Sequence, residues 1–206
     1  AIKIDPTFPN SWSMLGLCHY MRGDVKGSIK YYDKAISLNH SYSHPLAGKA
    51  RALFDLKEFN ESRYFFSRAV AVDPKLKDAW EFKGLAEKEL KEYHAAINSF
   101  DRAIQIYSEE PGNEYKLATL WAKKGEIYYE LNMLEKSLEC YEEAIKYYPK
   151  KKYKIARDNL KKMLQPLNST NTTKSSKQEE NLPRKGKNPW YKNKMIAIYA
   201  IIALAT

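Results

Sequence analysis

A recurrence at 34-residue intervals constrains this chain more than any other feature of its sequence. An alanine stands at positions 1, 35, 69 and 103, and its next equivalent, Ala144, follows after 41 residues. Three further columns keep the same steps: Trp12, Leu46, Trp80 and Trp121; Gly16, Ala50, Gly84 and Gly125; Val25, Phe59, Tyr93 and Leu134. One period of this length, with one shared slip of seven residues, predicts an array of repeated supersecondary units.

The repeated unit is clearest over residues 121–149, where apolar residues recur at steps of three and four. That spacing predicts two amphipathic helices, at about 118–131 and 134–148, the second ended by a proline. Gly125 in the first helix and Ser137 in the second are small enough to let the backbones approach closely. Because one helical hairpin cannot bury its apolar face, we expect the repeats to stack on one another.

The motif of this unit resembles the tetratricopeptide repeat, whose pattern is W-x2-L-G-x2-Y, then A-x3-F and a closing proline. Repeat one matches at Trp12, Leu15, Gly16, Tyr32 and Ala35, with a histidine where the proline is expected. The resemblance covers residues 1–164. It implies an all-α fold, a right-handed α-solenoid of helix-turn-helix repeats with a C-terminal capping helix and a disordered tail.

The period also predicts how the chain is divided. Because AIKIDP matches the end of a repeat, we interpret the sequence as a fragment of a longer protein. The seven-residue slip is expected to be a longer connection or an extra helical turn; a dedicated binding loop is the alternative.

The predicted divisions are the end of a truncated repeat at 1–8, repeats at 9–42, 43–76, 77–110 and 118–151, an insertion at 111–117, a capping helix at 152–164, a flexible basic linker at 165–194 and an apolar segment at 195–206. Helix pairs are predicted at 10–22 and 25–38, 44–56 and 59–72, and 77–90 and 93–106.

The net charge of +10 is concentrated in the C-terminal part of the chain. Residues 1–149 carry 21 basic and 22 acidic side chains, whereas residues 150–164 carry a net +6 and residues 165–206 a net +5. A nearly neutral solenoid lacks the positive surface that phosphate contacts require. We therefore expect no nucleic-acid partner.

The last twelve residues, MIAIYAIIALAT, form an abrupt apolar run after the basic linker. They would span about 18 Å as a helix, short of the roughly 30 Å hydrocarbon core. The preceding Trp190, Tyr191 and lysines match an interfacial flank, so we expect the start of a transmembrane helix with the repeats in the cytoplasm. An interfacial or solenoid-packing helix is the alternative, and without a membrane contact the chain is expected to be cytoplasmic.

The residues that usually carry catalysis or bind metals are scattered. Cys18 and Cys140 lie on separate predicted helices, and we interpret both as buried small hydrophobic residues. The four histidines form no ligand pattern, and no phosphate loop or nucleophile motif is present. We predict no metal, no cofactor and no enzymatic activity.

The resemblance implies a concave groove lined by the first helix of every repeat. Carried over to this sequence, the groove residues are Asn10, Ser13, Leu17, Tyr20 and Met21; His44, Ala47, Arg51, Phe54 and Asp55; Asp78, Glu81, Leu85, Lys88 and Glu89; Thr119, Ala122, Glu126, Tyr129 and Glu130. Two of these are basic and six acidic, which gives a charge of −4. We expect an extended or helical peptide partner with basic and apolar residues; the alternative is that these charges form a solvated helix face.

The function predicted from these features is a protein–protein interaction scaffold that is tethered to a membrane. Two alternatives stay open: a recruitment or substrate-recognition module of a longer enzyme, and a self-association module. The family's clamp for a terminal carboxylate is not expected, because the corresponding positions hold Ser13, Leu17 and Gly48.

Overall fold

The computed structural model describes residues 7–165, and over this range it consists of α-helices without any β-strand. The helices are α1 Pro9–Met21, α2 Val25–Leu38, α3 Ser43–Asp55, α4 Phe59–Val72, α5 Lys77–Glu89, α6 Tyr93–Ser108, α7 Glu114–Glu130, α8 Leu134–Tyr147 and α9 Lys151–Leu164. Successive helices pair as hairpins, and the hairpins stack in chain order. The predicted all-α solenoid is confirmed.

Each hairpin turns at one residue in the left-handed region. Gly23 has φ of 86°, and the equivalent Lys57, Lys91 and Asn132 have φ values of 63°, 61° and 58°. Glycine adopts this conformation without strain, whereas a side chain makes it costly. Asp24 caps α2, since its carboxylate accepts the backbone N–H of Gly27 at 2.9 Å.

The contact inside each hairpin depends on a small residue facing an aromatic ring. A Cβ added at Gly16 would lie 2.8 Å from the Tyr32 ring, and one added at Gly84 would lie 2.8 Å from the Phe100 ring. These rings are 3% and 0% exposed. At Gly125, for which the close approach was predicted, an added Cβ would lie 3.0 Å from the Tyr141 ring, so that prediction is confirmed.

Buried serines on the second helices reinforce two of the hairpins. Ser62 donates its hydroxyl to the carbonyl of Ala50 at 2.9 Å, and Ser137 donates to the carbonyl of Gly125 at 2.8 Å. Both acceptors lie on the first helix of their own repeat. Each bond satisfies a hydroxyl that would otherwise be costly to bury.

The core is a chain of apolar clusters that follows the stacked hairpins. The second-repeat cluster joins Ile36 and Leu46 to Phe66, and the third-repeat cluster joins Phe100 to Leu120. At the C-terminal end, α9 inserts Tyr153 and Leu160 beside Tyr141 of α8. Tyr153 and Leu160 are 3% and 2% exposed, so α9 covers the apolar face of the last hairpin.

The seven additional residues lengthen two helices. The helix expected to end near residue 106 continues to Ser108, and the helix expected to begin near residue 118 begins at Glu114. The altered junction also affects the tryptophan of repeat four. The indole N–H of Trp80 donates to the carbonyl of Pro74 at 2.9 Å. The equivalent buried indole N–H of Trp121 has no hydrogen-bond partner within residues 7–165.

The prediction that both cysteines are buried is wrong for Cys18, which is exposed, and confirmed for Cys140, which is buried. The residues equivalent to Cys18 are Ala52, Ala86 and Ile127, each 0% exposed. Those three lie on helices that pack against the second helix of the preceding repeat. In the described part of the chain no such helix precedes α1, so Cys18 faces solvent.

No helix between residues 7 and 165 is long and apolar enough to cross a membrane. The transmembrane start predicted at 195–206 lies outside the described residues, as do nearly all of the predicted linker and the residues 1–6 of the truncated repeat.

Candidate partner-binding groove

The groove predicted from the sequence is formed by the first helices of the four repeats, α1, α3, α5 and α7. The last residues of these helices are Met21, Asp55, Glu89 and Glu130, and all four are exposed. We call this set the rim row. Because each member ends an equivalent helix of a stacked repeat, the row runs along one edge of the solenoid.

Hydrogen bonds connect α1 with the helix that follows it in the groove. The Tyr20 hydroxyl donates to the carboxylate of Asp55, and the Tyr42 hydroxyl, just before α3, donates to Asn10 Oδ1 at 2.9 Å. Burial and the bond to Asp55 raise the pKa of Tyr20. Of the residues that the sequence placed in the groove, Tyr20 and Asp55 are in contact across the first two repeats, whereas Asn10 lies at the opposite end of α1.

An aromatic and cationic contact connects the middle repeats. The guanidinium of Arg51 lies 3.8 Å from the centre of the Phe82 ring, and the rings of Phe54 and Phe82 are 5.9 Å apart. Arg51 Nε also lies 3.5 Å from Asp55 Oδ1. The cation of Arg51 is thus engaged by an aromatic face and a carboxylate of its own chain.

Glu81 does not present its charge to the groove. Its side chain is only 7% exposed, and Oε2 accepts a bond from Lys116 Nζ at 2.8 Å and one from the Tyr107 hydroxyl at 3.4 Å. Glu81 is therefore engaged within the chain, and its predicted role in binding a partner stays a prediction. A carboxylate this deeply buried needs its partner, because an unpaired buried charge is costly.

Lys88 is surrounded by three glutamates at the junction of α5 and α7. Its Nζ lies 2.6 Å from Glu126 Oε2. Burial opposes the charge of Lys88, but Glu126, assisted by Glu130 and Glu89, raises its pKa. The Lys88–Glu126 pair is therefore a fixed contact between repeats, whereas Glu89 and Glu130 keep exposed carboxylates.

Two lysines that the sequence analysis did not include, Lys116 and Lys123, lie at this end of the groove. Lys116 pairs with Glu81, whereas Lys123 is half-buried and makes no ion pair with any residue between 7 and 165. Burial lowers the pKa of Lys123, although the nearby carboxylate of Glu126 opposes this change. Counting Lys116 and Lys123 changes the predicted groove charge from −4 to −2.

The predicted groove residues differ widely in their exposure. Those that are exposed are Asn10, Leu17, Met21, His44, Asp55, Asp78, Glu89 and Glu130. Those that are half-buried are Tyr20, Arg51, Phe54, Leu85, Lys88, Thr119, Glu126 and Tyr129. Ser13 is buried like Glu81. The exposed charged members are all carboxylates, and the two predicted basic residues are both half-buried.

Side chains that could bind a metal or act as a nucleophile are scattered over residues 7–165. Within the described residues no group of three or more histidine, cysteine or acidic side chains could hold a metal ion. A cleft on α7 and α8 contains Trp121, Lys124 and Cys140 in its lining. Lys124 is bound to Asp101, and burial raises the pKa of Cys140 to about 11, so neither supplies a reactive nucleophile there.

Comparison with known proteins gives matches along most of the solenoid. Two family models described as tetratricopeptide repeat match residues 9–42 and 78–150, together just over half of the chain. Superkiller protein 3 of Saccharomyces cerevisiae is 39% identical over 62 residues, which are 30% of this chain and 4% of that protein. Anaphase-promoting complex subunit 3 of Schizosaccharomyces pombe is 23% identical over 145 residues, 70% of this chain and 21% of that protein.

A similar architecture is present in a solved structure. The MamA structure from Desulfovibrio magneticus RS-1 has a TM-score of 0.64 and 17% identity, and the match covers 77% of this chain and 90% of that one. At this identity the likeness concerns the fold alone. The helical period, the stacked hairpins and the two family matches lead to one conclusion: the chain belongs to the tetratricopeptide-repeat family.

Proposed function

We propose that this protein is an interaction scaffold that holds a protein or peptide partner in the groove of α1, α3, α5 and α7. The observation that carries the proposal is the exposed edge of that surface, where Met21, Asp55, Glu89 and Glu130 stand in line without a covering element among residues 7–165. Proteins of this family are in general non-catalytic scaffolds. One relative is by name a subunit of an anaphase-promoting complex, which agrees with a role in an assembly.

The partner that fits best combines apolar and basic side chains. The exposed charges at the predicted positions are carboxylates. Asp55 already pairs with Arg51, and Asp78 already accepts a bond from the Tyr107 hydroxyl. The main charges offered to a partner are therefore those of Glu89 and Glu130. The predicted cations are half-buried, Arg51 against Phe82 and Lys88 against Glu126. Complementary charge at an exposed edge sets the orientation and the encounter rate of a partner more than its affinity.

A test of the groove begins with peptides selected from a random display library against the full chain. The charge-reversed variant Glu89→Lys is expected to weaken the selected peptides at low salt by roughly tenfold, about 1.4 kcal/mol, because it removes an attraction and adds a repulsion. Glu135→Lys is the matched control, since Glu135 is exposed on the second helix α8. Equal affinities for both variants and for the unchanged chain would exclude the groove as the binding surface.

A role as a recruitment module of a larger protein is the second candidate. It is favoured by the proportions of the relatives, of which this chain spans 4% and 21%. A groove that binds a partner serves either role, so the two candidates predict the same contacts and differ only in what the rest of the protein does.

The membrane tether is a separate part of the proposal, and it is supported by sequence alone. The basic residues and the Trp190–Tyr191 pair precede the apolar run at 195–206, as in an interfacial flank. The expected result is that the full chain co-sediments with liposomes even at high salt, and that a chain lacking 184–206 does not. Salt-sensitive binding would indicate a basic surface contact instead.

A further inference from the structure

The cleft on α7 and α8 of repeat four lies at a position that the other repeats fill. Its volume is about 440 Å³, and its lining includes Trp121, Lys124 and Tyr128 on α7 and Glu139, Cys140 and Glu143 on α8. This volume falls within the range of about 300–1,000 Å³ that is found for ligand pockets. None of the lining residues belongs to the predicted groove, so the cleft is a second surface.

Repeat one fills the equivalent space with an aromatic ring. The residue at the position of Cys140 is Tyr31. Its ring centre lies 6.2 Å from that of Trp12 and 4.5 Å from that of His19. Trp12 and His19 are the equivalents of the two aromatic residues that line the cleft on α7. A single ring on the second helix therefore packs against both of these positions in repeat one.

Repeats two and three fill the same space in other ways. Repeat two has Phe65, and the Nζ atom of Lys49 lies 4.2 Å from the centre of its ring. Repeat three has Ser99, whose hydroxyl donates to the carboxylate of Glu87 at 2.6 Å. The side chain of Cys140 is smaller than a ring and forms only weak hydrogen bonds, so it supplies neither contact. Repeat four keeps this space as a cleft.

The charge beside the cleft is also reversed in repeat four. The residues equivalent to Glu143 are Lys34, Arg68 and Arg102, all of them basic. In repeat two the guanidinium of Arg68 lies 5.8 Å from the centre of the Phe65 ring. Repeat four therefore lacks both the ring and the cation that the second helix supplies in repeat two.

The carboxylates of α8 are available at this cleft. Glu139 is exposed and makes no ion pair with any residue between 7 and 165. Burial raises the pKa of Tyr128 and of Cys140, and the charge of Glu139 adds to both changes, so this carboxylate lies close to the cleft. Glu143 pairs with Lys146, whose side chain is 68% exposed. Such an exposed pair is weak and can be exchanged for another cation.

The two lysines of the lining leave the side of Glu143 acidic. Lys124 is buried and bound to Asp101. Lys136 lies at the opposite end of the cleft along α8, about two helical turns before Glu143, with its Nζ 5.7 Å from the centre of the Tyr128 ring. The cleft therefore has a basic end and an acidic end, which favours one orientation of a ligand.

We propose that the cleft binds a helix of a partner protein through one aromatic side chain, seated over Cys140, and one lysine or arginine that meets Glu139 and Glu143. A helix is the matching element because the ring and the cation of repeat two, Phe65 and Arg68, lie three residues apart on one helix. Residues three apart lie on the same side of a helix. The partner thus supplies the two side chains that repeat four lacks, at a surface that the proposed function does not use.

The experiment measures binding of labelled helical peptides to the full chain by fluorescence anisotropy at low salt. The peptides have about fifteen residues in an alanine–glutamine sequence, long enough to form a helix. The first carries one phenylalanine and an arginine three residues later. Replacing its phenylalanine with alanine is expected to weaken binding about tenfold, since the buried ring is lost. Replacing its arginine with glutamine is expected to weaken binding about two- to fivefold.

Variants of the protein locate the contact. Cys140→Phe supplies the ring of repeats one and two, so it is expected to weaken the first peptide at least about tenfold without lowering the melting temperature. Glu143→Arg restores the residue of repeats two and three, and it is expected to weaken the peptide about two- to fivefold even if Cys140→Phe fails to fold. Glu61→Arg, at an exposed acidic residue of α4, is the matched control and should leave the affinity unchanged.

Several outcomes would overturn the inference. They are equal affinity for the peptides with phenylalanine and with alanine, no binding of the first peptide, or an affinity that Glu143→Arg leaves unchanged. Weaker binding in Glu89→Lys would place the peptide in the groove instead. Tighter binding by a chain that lacks 184–206 would assign the cleft to the chain's own Trp190–Tyr191 segment. The groove function is judged separately, by the display-selected peptides.

Discussion

At the scale of single residues, a recurring lysine joins neighbouring repeats. Lys49 on α3 binds Asp33 of the preceding repeat at 2.6 Å, and the equivalent Lys124 on α7 binds Asp101. The equivalent lysine of repeat three is Lys83, and the position that holds its aspartate partner in the other repeats is occupied by Ser67. Lys83 bonds instead with Glu87 at 2.5 Å and Ser99 at 3.0 Å. The same position thus carries a cation in three repeats, and its partner depends on the available side chains.

The Lys124–Asp101 pair is expected to contribute to stability because the lysine is buried. The side chain of Lys124 is 7% exposed and that of Asp101 is 50% exposed. Asp101→Asn leaves the charge of Lys124 poorly compensated, and we expect a loss of about 1–2 kcal/mol in the free energy of unfolding, reduced by solvent screening at Asp101. Urea denaturation measures the loss.

Two further variants control that measurement. Asp33→Asn, whose partner Lys49 is 16% exposed, should cost less. Combining Asp101→Asn with Lys124→Met should recover most of the loss, because no charge then remains buried. A midpoint for Asp101→Asn identical to that of the unchanged chain would contradict the role of the pair.

Tyr32 gives the stability a dependence on alkaline pH. Burial raises its pKa to about 12 from the ordinary 10.0, and the residue is 3% exposed. The folded state favours the protonated form of Tyr32. Its contribution to the free energy of unfolding is therefore complete below pH 10 and is lost as the pH rises from 10 to 12. At pH 11 the expected loss in the free energy of unfolding is roughly 1 kcal/mol.

The comparison that isolates this effect is with Tyr32→Phe, which has no hydroxyl to ionise. Urea unfolding at pH 8 and pH 11 should show a smaller loss in Tyr32→Phe than in the unchanged chain. Lysine titration occurs in both proteins and cancels in the difference. An equal loss in both would mean that Tyr32 ionises in the folded state as easily as in water.

At the scale of elements, α9 closes the solenoid with two different faces. One face buries Leu160 beside Tyr141 and Ala144, and the other exposes Ile155 among lysines. We expect Leu160→Ala to cost about 2–4 kcal/mol of unfolding free energy, since it removes a buried side chain and leaves a cavity. Ile155→Ala, at a residue that is 38% exposed, should stay within about 0.5 kcal/mol.

Thermal unfolding of the two α9 variants provides the measurement, with circular dichroism at the helical signal. Similar melting temperatures for Leu160→Ala and Ile155→Ala would mean that α9 is not a capping element. A melting temperature lowered only in Leu160→Ala would support the capping role proposed for 152–164.

The sequence predicted the elements better than the groove. The 34-residue columns predicted the hairpins correctly because the residues that hold a hairpin together lie within one repeat. Gly16 and Gly84, for example, each face an aromatic ring on the second helix of their own repeat. The seven additional residues broke that period, so the start of α7 was predicted four residues too late. No local pattern distinguished a loop from two lengthened helices.

The groove charges depend on contacts between residues far apart in sequence. Glu81 and Lys116 are separated by 35 positions, and only the stacking of repeat four on repeat three brings them together. The family positions included Glu81 and excluded Lys116 and Lys123, so the charge was overestimated. The position of a residue in its repeat does not tell how exposed its side chain is. That exposure was the information missing from the sequence.

At the scale of the whole molecule, protection should vary along the solenoid. Each repeat contacts its neighbours only, and α1 has one exposed side at Cys18, whereas α5 is packed between α4 and α6. We expect amide hydrogens of α1 to exchange faster than those of α5 in native-state hydrogen exchange, because local opening costs less at an uncovered helix. Uniform protection in both helices would show that the repeats unfold as one unit.

The lengthened helices at the junction of repeats three and four also bear on how such a chain can evolve. The connections before repeats two and three, at 39–42 and 73–76, have the same length, so gene duplication or unequal recombination there would join repeats that are connected in the same way. A duplicated repeat would add one position to the rim row. The junction spanning Ser108 and Glu114 has its own geometry, so genetic exchange across it would create mismatched ends. Variation in repeat number is therefore expected on its N-terminal side, with α7, α8 and α9 inherited as a block.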